Sequence, residues 1–344
     1  MTVQSRNAWH LFTCHVSLTT LKIEAKEEFW PLNQPFRISR GSRTDAHVMT
    51  ISVSDGEYTG RGEGVPIARY NQSAATVLAQ IESIRDVSDL SRNNLQQLLP
   101  PGAARNALDC ALWDFEAKRS GKRVWQLANI PIVDQVQTSF TISLGRPETM
   151  ADSAAAAAEL PILKLKLGGD DADLPRVERV RSAAPKARLL VDANESWSAH
   201  HYRKIVPALK ELGVELIEQP FPAAADDALE TLDHPIPLCA DESCHTSADL
   251  PRVKNRYEVI NVKLDKTGGL SEALRLCQHA RENSFKLLIG CMVCTSLSIA
   301  AARLLASNAD WVDLDGPLLL VRDRDHGLVY QNGNMRLPIR QFWG

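Results

Sequence analysis

From about residue 135 onward, short apolar runs typical of β-strands alternate with helical stretches, and this alternation constrains the fold more than any other feature of the sequence. Repeated βα units form a parallel sheet, and eight strand-like runs predict a closed barrel. The last run is followed by no helix of ordinary length, so the predicted form is (β/α)7β. The predicted strands are 136–142, 162–167, 188–192, 215–218, 236–241, 258–263, 286–290 and 311–315. The predicted helices are 147–160, 172–184, 199–212, 226–232, 247–254, 270–283 and 296–307.

The first 120 or so residues follow a different pattern, which is typical of an α+β unit. The alternating run 47–53, the turn Asp55-Gly56 and the run 58–65 predict a β-hairpin. Apolar residues at helical spacing predict a helix over 103–120 that ends at Gly121.

The composition excludes several classes of function. Lys plus Arg is 39 and Asp plus Glu is 42, so the formal net charge is −3. This near-balance argues against a nucleic-acid partner and against binding to an anionic membrane surface. No apolar run approaches the ~20 residues of a membrane span, so we expect no membrane partner. The seven cysteines are an odd number at irregular spacing, which is typical of reduced thiols and predicts a cytoplasmic location.

Five charged residues recur at the ends of consecutive predicted strands. They are spaced 26, 26, 23 and 22 positions apart, which is close to the length of one βα unit. The C-terminal ends of barrel strands form the active-site face, so we expect one side chain per unit to project into one cavity. In chain order these residues are Lys166, Asp192, Glu218, Asp241 and Lys263.

The three acids in this series predict a metal site. Three converging carboxylates repel each other and do not all ionise without a cation. Ligation by oxygen alone favours a hard ion, most simply Mg²⁺. The alternative is that Asp192, Glu218 and Asp241 each cap the helix that follows, which does not explain why lysines flank all three.

The lysines on either side of the acids are predicted to act as bases. Lys164 and Lys166 are two residues apart on one strand, so both point inward. A neighbouring ammonium group and a divalent cation both disfavour the charged form of Lys166, which suits a general base. Lys166 and Lys263 around a metal could remove a proton next to a carboxylate and return it on the opposite face. The alternative is that the lysines only balance buried acids.

A second pair of acids, Asp313 and Asp315, lies near the end of the predicted barrel. The two residues are two apart on one strand and face the same side. Since three acids already account for the metal, this pair suits a ligand ammonium group. The alternative is a helix cap or a surface pair.

Together these motifs resemble those of the enolase superfamily, muconate-lactonizing-enzyme subgroup, and within it the dipeptide epimerases. The matching stretches are LKLK at 163–166, VDAN at 191–194, IEQP at 217–220, ADES at 240–243 and NVKLDKTGG at 261–269. The resemblance covers nearly everything from about residue 22. It implies a modified TIM barrel with an N-terminal capping domain that carries the specificity loops. The implied boundaries are an extension outside the fold at 1–20, capping domain 21–130, barrel 131–320 and a C-terminal segment 321–344 that returns to the capping domain.

The resemblance also implies a reaction, which is the epimerisation of L-Ala-L/D-Glu in murein peptide metabolism. One Mg²⁺ per subunit would stabilise an enediolate, and the expected partner is a small dipeptide; a homo-oligomer stays open. The implied metal ligands are Asp192, Glu218 and Asp241, the catalytic lysines Lys166 and Lys263, the ammonium ligands Asp313 and Asp315, and the supporting residues Asn194 and Glu242. Lys164 is expected to touch the substrate carboxylate.

The loop at 37–43 offers three arginines. One or two of them, with Arg40 and Arg43 as candidates, could hold a glutamyl carboxylate, a bidentate task that suits arginine. The alternative is a solvated loop.

Two other functions stay open. One is a different reaction of the subgroup, namely o-succinylbenzoate synthesis, N-acylamino-acid racemisation or cycloisomerisation. The Asp313/Asp315 pair disfavours it, because those substrates lack an ammonium group there. The other is a non-catalytic barrel that binds a metal and a carboxylate, which two intact lysines disfavour.

Overall fold

An antiparallel sheet and four helices form the N-terminal unit of the structure, a computed structural model that describes residues 21–344. The predicted extension at 1–20 lies outside the described residues. The strands are β1 (Lys22–Ile38), β2 (Gly41–Ser54) and β3 (Thr59–Gly64), paired in the order β1-β2-β3. The helices are α1 (Ala74–Ser83), α2 (Arg92–Leu98), α3 (Ala103–Ser120) and α4 (Val124–Leu127). The predicted hairpin and the helix ending at Gly121 are confirmed.

Helix α3 lies directly on β3 because one face of that strand consists of glycine. A Cβ atom at Gly62 would lie 2.0 Å from the backbone oxygen of Ala107, and Gly60 and Gly64 approach α3 in the same way. The alternation Thr-Gly-Arg-Gly-Glu-Gly in β3 therefore fixes how closely the helix and the sheet pack.

The second part of the chain is an eight-stranded parallel sheet in which each strand pairs with the next one along the chain. The amide of Ser139, next to the first of these strands, donates to the oxygen of Val312 in the last strand at 2.9 Å, which brings the two edges of the sheet together. The predicted α/β barrel with an N-terminal α+β unit is confirmed. After β4 (Gln135–Gln137), the barrel strands are β5 (Phe140–Ile142), β6 (Ile162–Lys166), β7 (Arg188–Asp192), β8 (Val214–Glu218), β9 (Leu238–Ala240), β10 (Val259–Val262), β11 (Lys286–Gly290) and β12 (Trp311–Asp313).

The connecting helices are complete in only part of the barrel. They are α5 (Pro147–Ala156), α6 (Asp173–Ala183), α7 (Ala199–Glu211), α8 (Leu250–Val253), α9 (Leu264–Thr267), α10 (Leu270–Glu282) and α11 (Ser296–Leu305). The helix predicted at 226–232 is a 3₁₀ turn over Asp227–Thr231. The helix predicted at 247–254 is a 3₁₀ turn followed by the single turn α8, in which Pro251 occupies the start. Both stretches are too short for a stable α-helix of several turns.

The strand predicted at 136–142 divides in two. Residues 135–137 form β4, which pairs with β14 (Asn334–Arg336), and β14 pairs in turn with β13 (Tyr330–Gln331). Only β5 enters the barrel.

Inside the barrel, an apolar layer lies beneath the polar ends of the strands. It consists of Ile162, Leu190, Leu216, Cys239, Val259 and Leu288, all buried. The first five of these residues precede members of the charged series by two or four positions, so they share its inward face. The apolar layer therefore closes the barrel below the charged residues and leaves them at one end. Among residues 21–344, no helix combines the length and the apolar character needed to cross a bilayer.

The C-terminal segment crosses from the barrel to the N-terminal unit. The amide of Val321 donates to the oxygen of Pro31 at 2.9 Å. The indole of Trp343 donates to the oxygen of Arg61 at 3.0 Å. The amide of Gly344 donates to Asp114 at 2.8 Å.

Candidate active site

The charged residues predicted from their spacing meet at the C-terminal ends of adjacent strands. In the strand register, Lys166 is opposite Asp192, and Asp192 is opposite Glu218. Asp241 follows β9 by one residue, and Lys263 follows β10 by one residue. The side chains of Asp192, Glu218 and Asp241 are at most 3% exposed.

Lys164 lies at the centre of the group and contacts three carboxylates. Its Nζ is 2.6 Å from Oε2 of Glu218, 2.6 Å from Oδ2 of Asp313 and 3.3 Å from Oδ2 of Asp192. It is 1% exposed. Burial opposes its charge, but the three carboxylates outweigh burial and raise the pKa of Lys164 well above its usual value. Lys164 is therefore an ammonium ion that joins the two acid groups.

The two lysines predicted to be catalytic flank the carboxylates on opposite sides. Nζ of Lys166 is 2.6 Å from Oδ2 of Asp192. Nζ of Lys263 is 2.7 Å from Oδ2 of Asp241 and 3.8 Å from Oε1 of Glu218. Both lysines line one small cavity at the end of the barrel. Each can therefore approach a molecule in that cavity from its own side.

The carboxyl groups of Asp192 and Glu218 differ in how readily they ionise. Burial opposes ionisation of Asp192, but the ammonium groups of Lys166 and Lys164 outweigh burial and hold its pKa below the usual value. Burial and the neighbouring charge of Asp192 raise the pKa of Glu218 to about 7. The lysines alone therefore do not keep all three carboxylates, Asp192, Glu218 and Asp241, ionised.

The chemistry of these three carboxylates fits a hard cation. The available donors are carboxylate oxygens from Asp192, Glu218 and Asp241, without histidine or thiolate, which is the donor set that Mg²⁺ prefers. Nearby, the buried side-chain oxygens Oδ1 of Asn194 and Oε2 of Glu242 have no hydrogen-bond donor among the described residues. Within residues 21–344, the acids are not already arranged around one metal position, because lysine ammonium groups stand between them.

The second acid pair lies beside the first strand of the barrel. Oδ1 of Asp313 accepts the hydroxyl of Ser139 at 2.6 Å, while its Oδ2 faces Lys164. Oδ2 of Asp315 accepts the amide of Thr141 at 2.6 Å. Burial and the charge of Asp313 raise the pKa of Asp315 to about 6. Among the described residues, Asp315 forms no ion pair of the kind that Lys164 forms with Asp313. Asp315 lines the same cavity as Lys166 and Lys263.

Three residues that support the site were missed from the sequence. Strand alternation places Lys266 away from the cavity, yet the short helix α9 brings its Nζ to 2.8 Å from Oδ1 of Asp241. The amide of Asn261 donates to Oε1 of Glu218 at 2.8 Å. The side-chain oxygen of Gln219 accepts the amide of Asp241 at 2.9 Å. Asn261 could have been found from its inward position two residues before Lys263.

The turn between β1 and β2, which we call the hairpin end (residues 36–43), covers part of the cavity. The ring of Phe36 lines the cavity, with its centroid 5.8 Å from Nζ of Lys166. Arg40 forms ion pairs with Glu195 and Glu242 at 3.1 and 2.6 Å. Arg43 pairs in register with Phe36 and is exposed. The sequence showed the arginines but not Phe36 as a site residue.

Comparison with known proteins identifies the family of both parts of the chain. Residues 20–128 match the mandelate racemase / muconate lactonizing enzyme N-terminal domain. Residues 149–341 match the enolase C-terminal domain-like family. Among curated proteins, the L-Ala-D/L-Glu epimerase of Escherichia coli K12 is 45% identical over 92% of this chain and 99% of its own length. The N-acetyl-D-glutamate racemase of a Pseudoalteromonas species is 43% identical over 86% of this chain and 95% of its own.

Solved structures agree with this assignment. An enolase family member from Agrobacterium tumefaciens with homology to dipeptide epimerases, with bound sodium and L-Ala-L-Glu, is 46% identical. It has a TM-score of 0.91 over 94% of this chain and all of its own. A dipeptide epimerase from Enterococcus faecalis, complexed with Mg and L-Leu-L-Tyr, is 27% identical, with a TM-score of 0.86 over 94% of this chain and 97% of its own. The close relatives are epimerases and racemases, which are isomerases.

Proposed function

The chain belongs to the mandelate racemase / muconate lactonizing enzyme family of the enolase superfamily, and on this premise we propose that it is a Mg²⁺-dependent epimerase of L-Ala-L/D-Glu. The observation that carries the proposal is the placement of Lys166 and Lys263 on opposite sides of three buried carboxylates, both lining one cavity. A binding protein for a carboxylate needs one cation, whereas inversion of a carbon atom needs a base on each face. One Mg²⁺ per subunit is part of the proposal.

The metal ligands are Asp192, Glu218 and Asp241. Bound there, Mg²⁺ supplies positive charge that stabilises the negative charge developing on the substrate carboxylate when the neighbouring proton leaves. Asn261 donates to the Glu218 side chain and Gln219 accepts the backbone amide of Asp241, so these two residues support the ligands from behind.

The lysines carry out the proton transfer. One lysine, as a free amine, takes the α-proton of the glutamyl residue on one face. The other lysine, as an ammonium ion, gives a proton to the opposite face, so the product has the formula of the substrate and inverted configuration. Which lysine acts as base depends on which epimer is bound, so Lys166 and Lys263 exchange roles in the two directions.

The acid pair holds the α-ammonium group of the alanyl residue. Asp315 is its direct ligand, because Asp313 already faces Lys164 at 2.6 Å. Asp313 contributes by fixing Lys164, which contacts the substrate carboxylate. The hydrogen bond from Thr141 holds Asp315 in position.

The glutamyl side chain is bound by Arg43. Arg40 and Arg43 were both candidates, but Arg40 is engaged by Glu195 and Glu242. Arg43 lies in register with Phe36, which itself lines the cavity, so its side chain leaves the hairpin on the same face. We place the reaction in the cytoplasmic use of murein peptides, where L-Ala-Glu units occur.

Racemisation of N-acylglutamate is the second candidate, because one relative at 43% identity is an N-acetyl-D-glutamate racemase. The two functions differ in whether the substrate carries an ammonium group near Asp315. We expect incubation with Mg²⁺ in D₂O to place deuterium on the glutamyl α-carbon of L-Ala-L-Glu much faster than on that of N-acetyl-L-glutamate. NMR measures both. Faster exchange of N-acetyl-L-glutamate would replace the dipeptide assignment, and exchange of neither compound would refute the proposed function.

A further inference from the structure

Glu195 joins the barrel to two separate segments of the N-terminal unit. Oε1 of Glu195 is 2.7 Å from Nη2 of Arg69, and its Oε2 accepts Nε of the same arginine at 2.9 Å. Oε2 also pairs with Nη1 of Arg40 at 3.1 Å. The Glu195 side chain is only 6% exposed, while its partners Arg40 and Arg69 are 34% and 45% exposed, so a buried carboxylate accepts charge-assisted hydrogen bonds from two partly exposed arginines.

The two arginines come from two segments of the N-terminal unit that pack against the barrel. Arg40 belongs to the hairpin end, whose Phe36 lines the cavity. Arg69 belongs to the loop at 65–72, whose Tyr70 ring stacks edge-on against His245 of the barrel, with centroids 4.5 Å apart. One carboxylate therefore holds both segments at once.

The barrel fixes Glu195 itself. Oε1 accepts the amide of Ala223 at 2.9 Å, and the amide of Glu195 donates to the oxygen of Gln219 at 2.9 Å. Its backbone has φ 68, and the preceding Asn194 has φ 44, so both lie in the left-handed region that non-glycine residues rarely adopt. Such a conformation persists where surrounding contacts determine it, and it often occurs at functional sites.

We propose that Glu195 is a positioning residue that fastens the hairpin end and the 65–72 loop to the barrel in the arrangement that binds substrate, without touching the substrate. The effect of this residue on kinetics rests on the proposed epimerase function. Its effect on how firmly the two segments are held does not, because the ion pairs do not depend on what the cavity binds.

The two segments do not depend equally on Glu195, because Arg40 and Arg69 have different numbers of other partners. Arg40 has a second carboxylate, Glu242, at 2.6 Å, and it donates to the oxygen of Asn194 at 2.7 Å. Among residues 21–344, Arg69 pairs with no carboxylate other than Glu195. Loss of the Glu195 carboxylate should therefore release the 65–72 loop more than the hairpin end.

Hydrogen–deuterium exchange of the full chain tests this directly. In Glu195→Ala, we expect amides of the 65–72 loop to exchange at least about tenfold faster, with a smaller increase at 36–43, because charge-assisted hydrogen bonds are lost. Glu195→Gln, which keeps some hydrogen bonds, should fall between. The matched control is Glu215→Gln: Glu215 pairs with Arg188 at 2.7 Å on the neighbouring strands, at the opposite end of the barrel. The Glu215→Gln variant should leave amide exchange in both segments unchanged.

Kinetics supply the second test. For L-Ala-L-Glu, Glu195→Ala should raise KM about tenfold while kcat changes less than about threefold, because the residue acts on binding geometry and not on the reacting atoms. Unchanged exchange in both segments, or a fall in kcat at constant KM, would overturn the proposal. If the unmodified protein epimerises no dipeptide, the epimerase function fails, and the exchange measurement still decides the role of Glu195.

Discussion

At the scale of single residues, the position of Lys164 makes the surroundings of Asp313 and Asp315 different. It draws Asp313 to 2.6 Å and Glu218 to the same distance, and it leaves Asp315 with a backbone amide as its partner. Burial raises the pKa of Asp315 to about 6, so an arriving ammonium group would gain by restoring the carboxylate's charge. Two acids that look equivalent in the sequence thus have different partners in the structure.

Asp315→Asn tests the role assigned to Asp315. We expect KM for L-Ala-L-Glu to rise by at least about tenfold, because a buried ammonium–carboxylate contact is lost while the shape of the side chain is kept. Inhibition by the N-acetylated dipeptide should change much less, since that molecule has no ammonium group. Equal losses for both compounds would show that Asp315 does not bind the ammonium group.

Residue patterns predicted the inward-facing charges but not the contacts between distant segments. Lys166, Asp192 and Glu218 could be placed because strand alternation and the repeat of βα units fix where each side chain points. The ion pairs of Arg40 could not, since Glu195 and Glu242 lie 155 and 202 positions away and their approach depends on how the hairpin end folds over the barrel. The contact of Lys266 with Asp241 could not be predicted either, because a one-turn helix replaces the strand after Lys263.

At the scale of elements, the packing of α3 on β3 depends on the absence of side chains. Gly60, Gly62 and Gly64 alternate along the strand, and each approaches a backbone oxygen of the helix. The helix contributes alanines on the facing side, at Ala103, Ala107 and Ala111. The sequence predicted both elements, but the close approach shows only in the structure.

Gly62→Ala should therefore destabilise the protein. The new methyl group would lie 2.0 Å from the oxygen of Ala107, and backbone atoms on both sides must move apart. We expect a cost of about 2 kcal/mol or more, measured as a lower midpoint of thermal unfolding. Gly145→Ala is the matched control, because its added atom would have ordinary contacts at 3.7 Å. An unchanged midpoint for Gly62→Ala would contradict this account of the packing.

At the scale of the whole molecule, Arg324 in the C-terminal segment joins three parts of the chain. Its Nη2 lies 2.8 Å from Oε2 of Glu63 in β3, and its Nε donates to Thr295 at 2.7 Å, at the start of α11. The same Nη2 contacts Glu28 in β1. The N-terminal unit is thus fixed to the barrel and the C-terminal segment by a buried group of charges.

Arg324→Ala should destabilise the protein by about 3–5 kcal/mol at neutral pH, because it leaves the buried Glu63 carboxylate without its cation. Arg322→Ala, which removes a neighbouring arginine, should have a much smaller effect.

The loss should depend on pH. Burial raises the pKa of Glu63 above its usual 4.5 even with Arg324 present, and removal of the arginine raises that pKa further. The folded variant then binds a proton that the unfolded chain has released, so its stability falls as pH rises above about 4.5. Thermal unfolding at pH 5 and pH 8 should show the larger deficit at pH 8. A deficit that is equal at both pH values, or larger at pH 5, would contradict the assigned ion pair.

The two-base arrangement is the central claim, and exchange of the substrate α-proton in single-lysine variants tests it most directly. With Mg²⁺ in D₂O, the unmodified protein should deuterate and interconvert L-Ala-L-Glu and L-Ala-D-Glu. Lys166→Ala and Lys263→Ala should each abolish interconversion, and each should still deuterate one epimer without inversion. The epimer should be opposite for the two variants, because each remaining lysine lies on its own face. NMR of the glutamyl α-proton measures this. A variant that still interconverts the epimers, or two variants that deuterate the same epimer, would contradict the account.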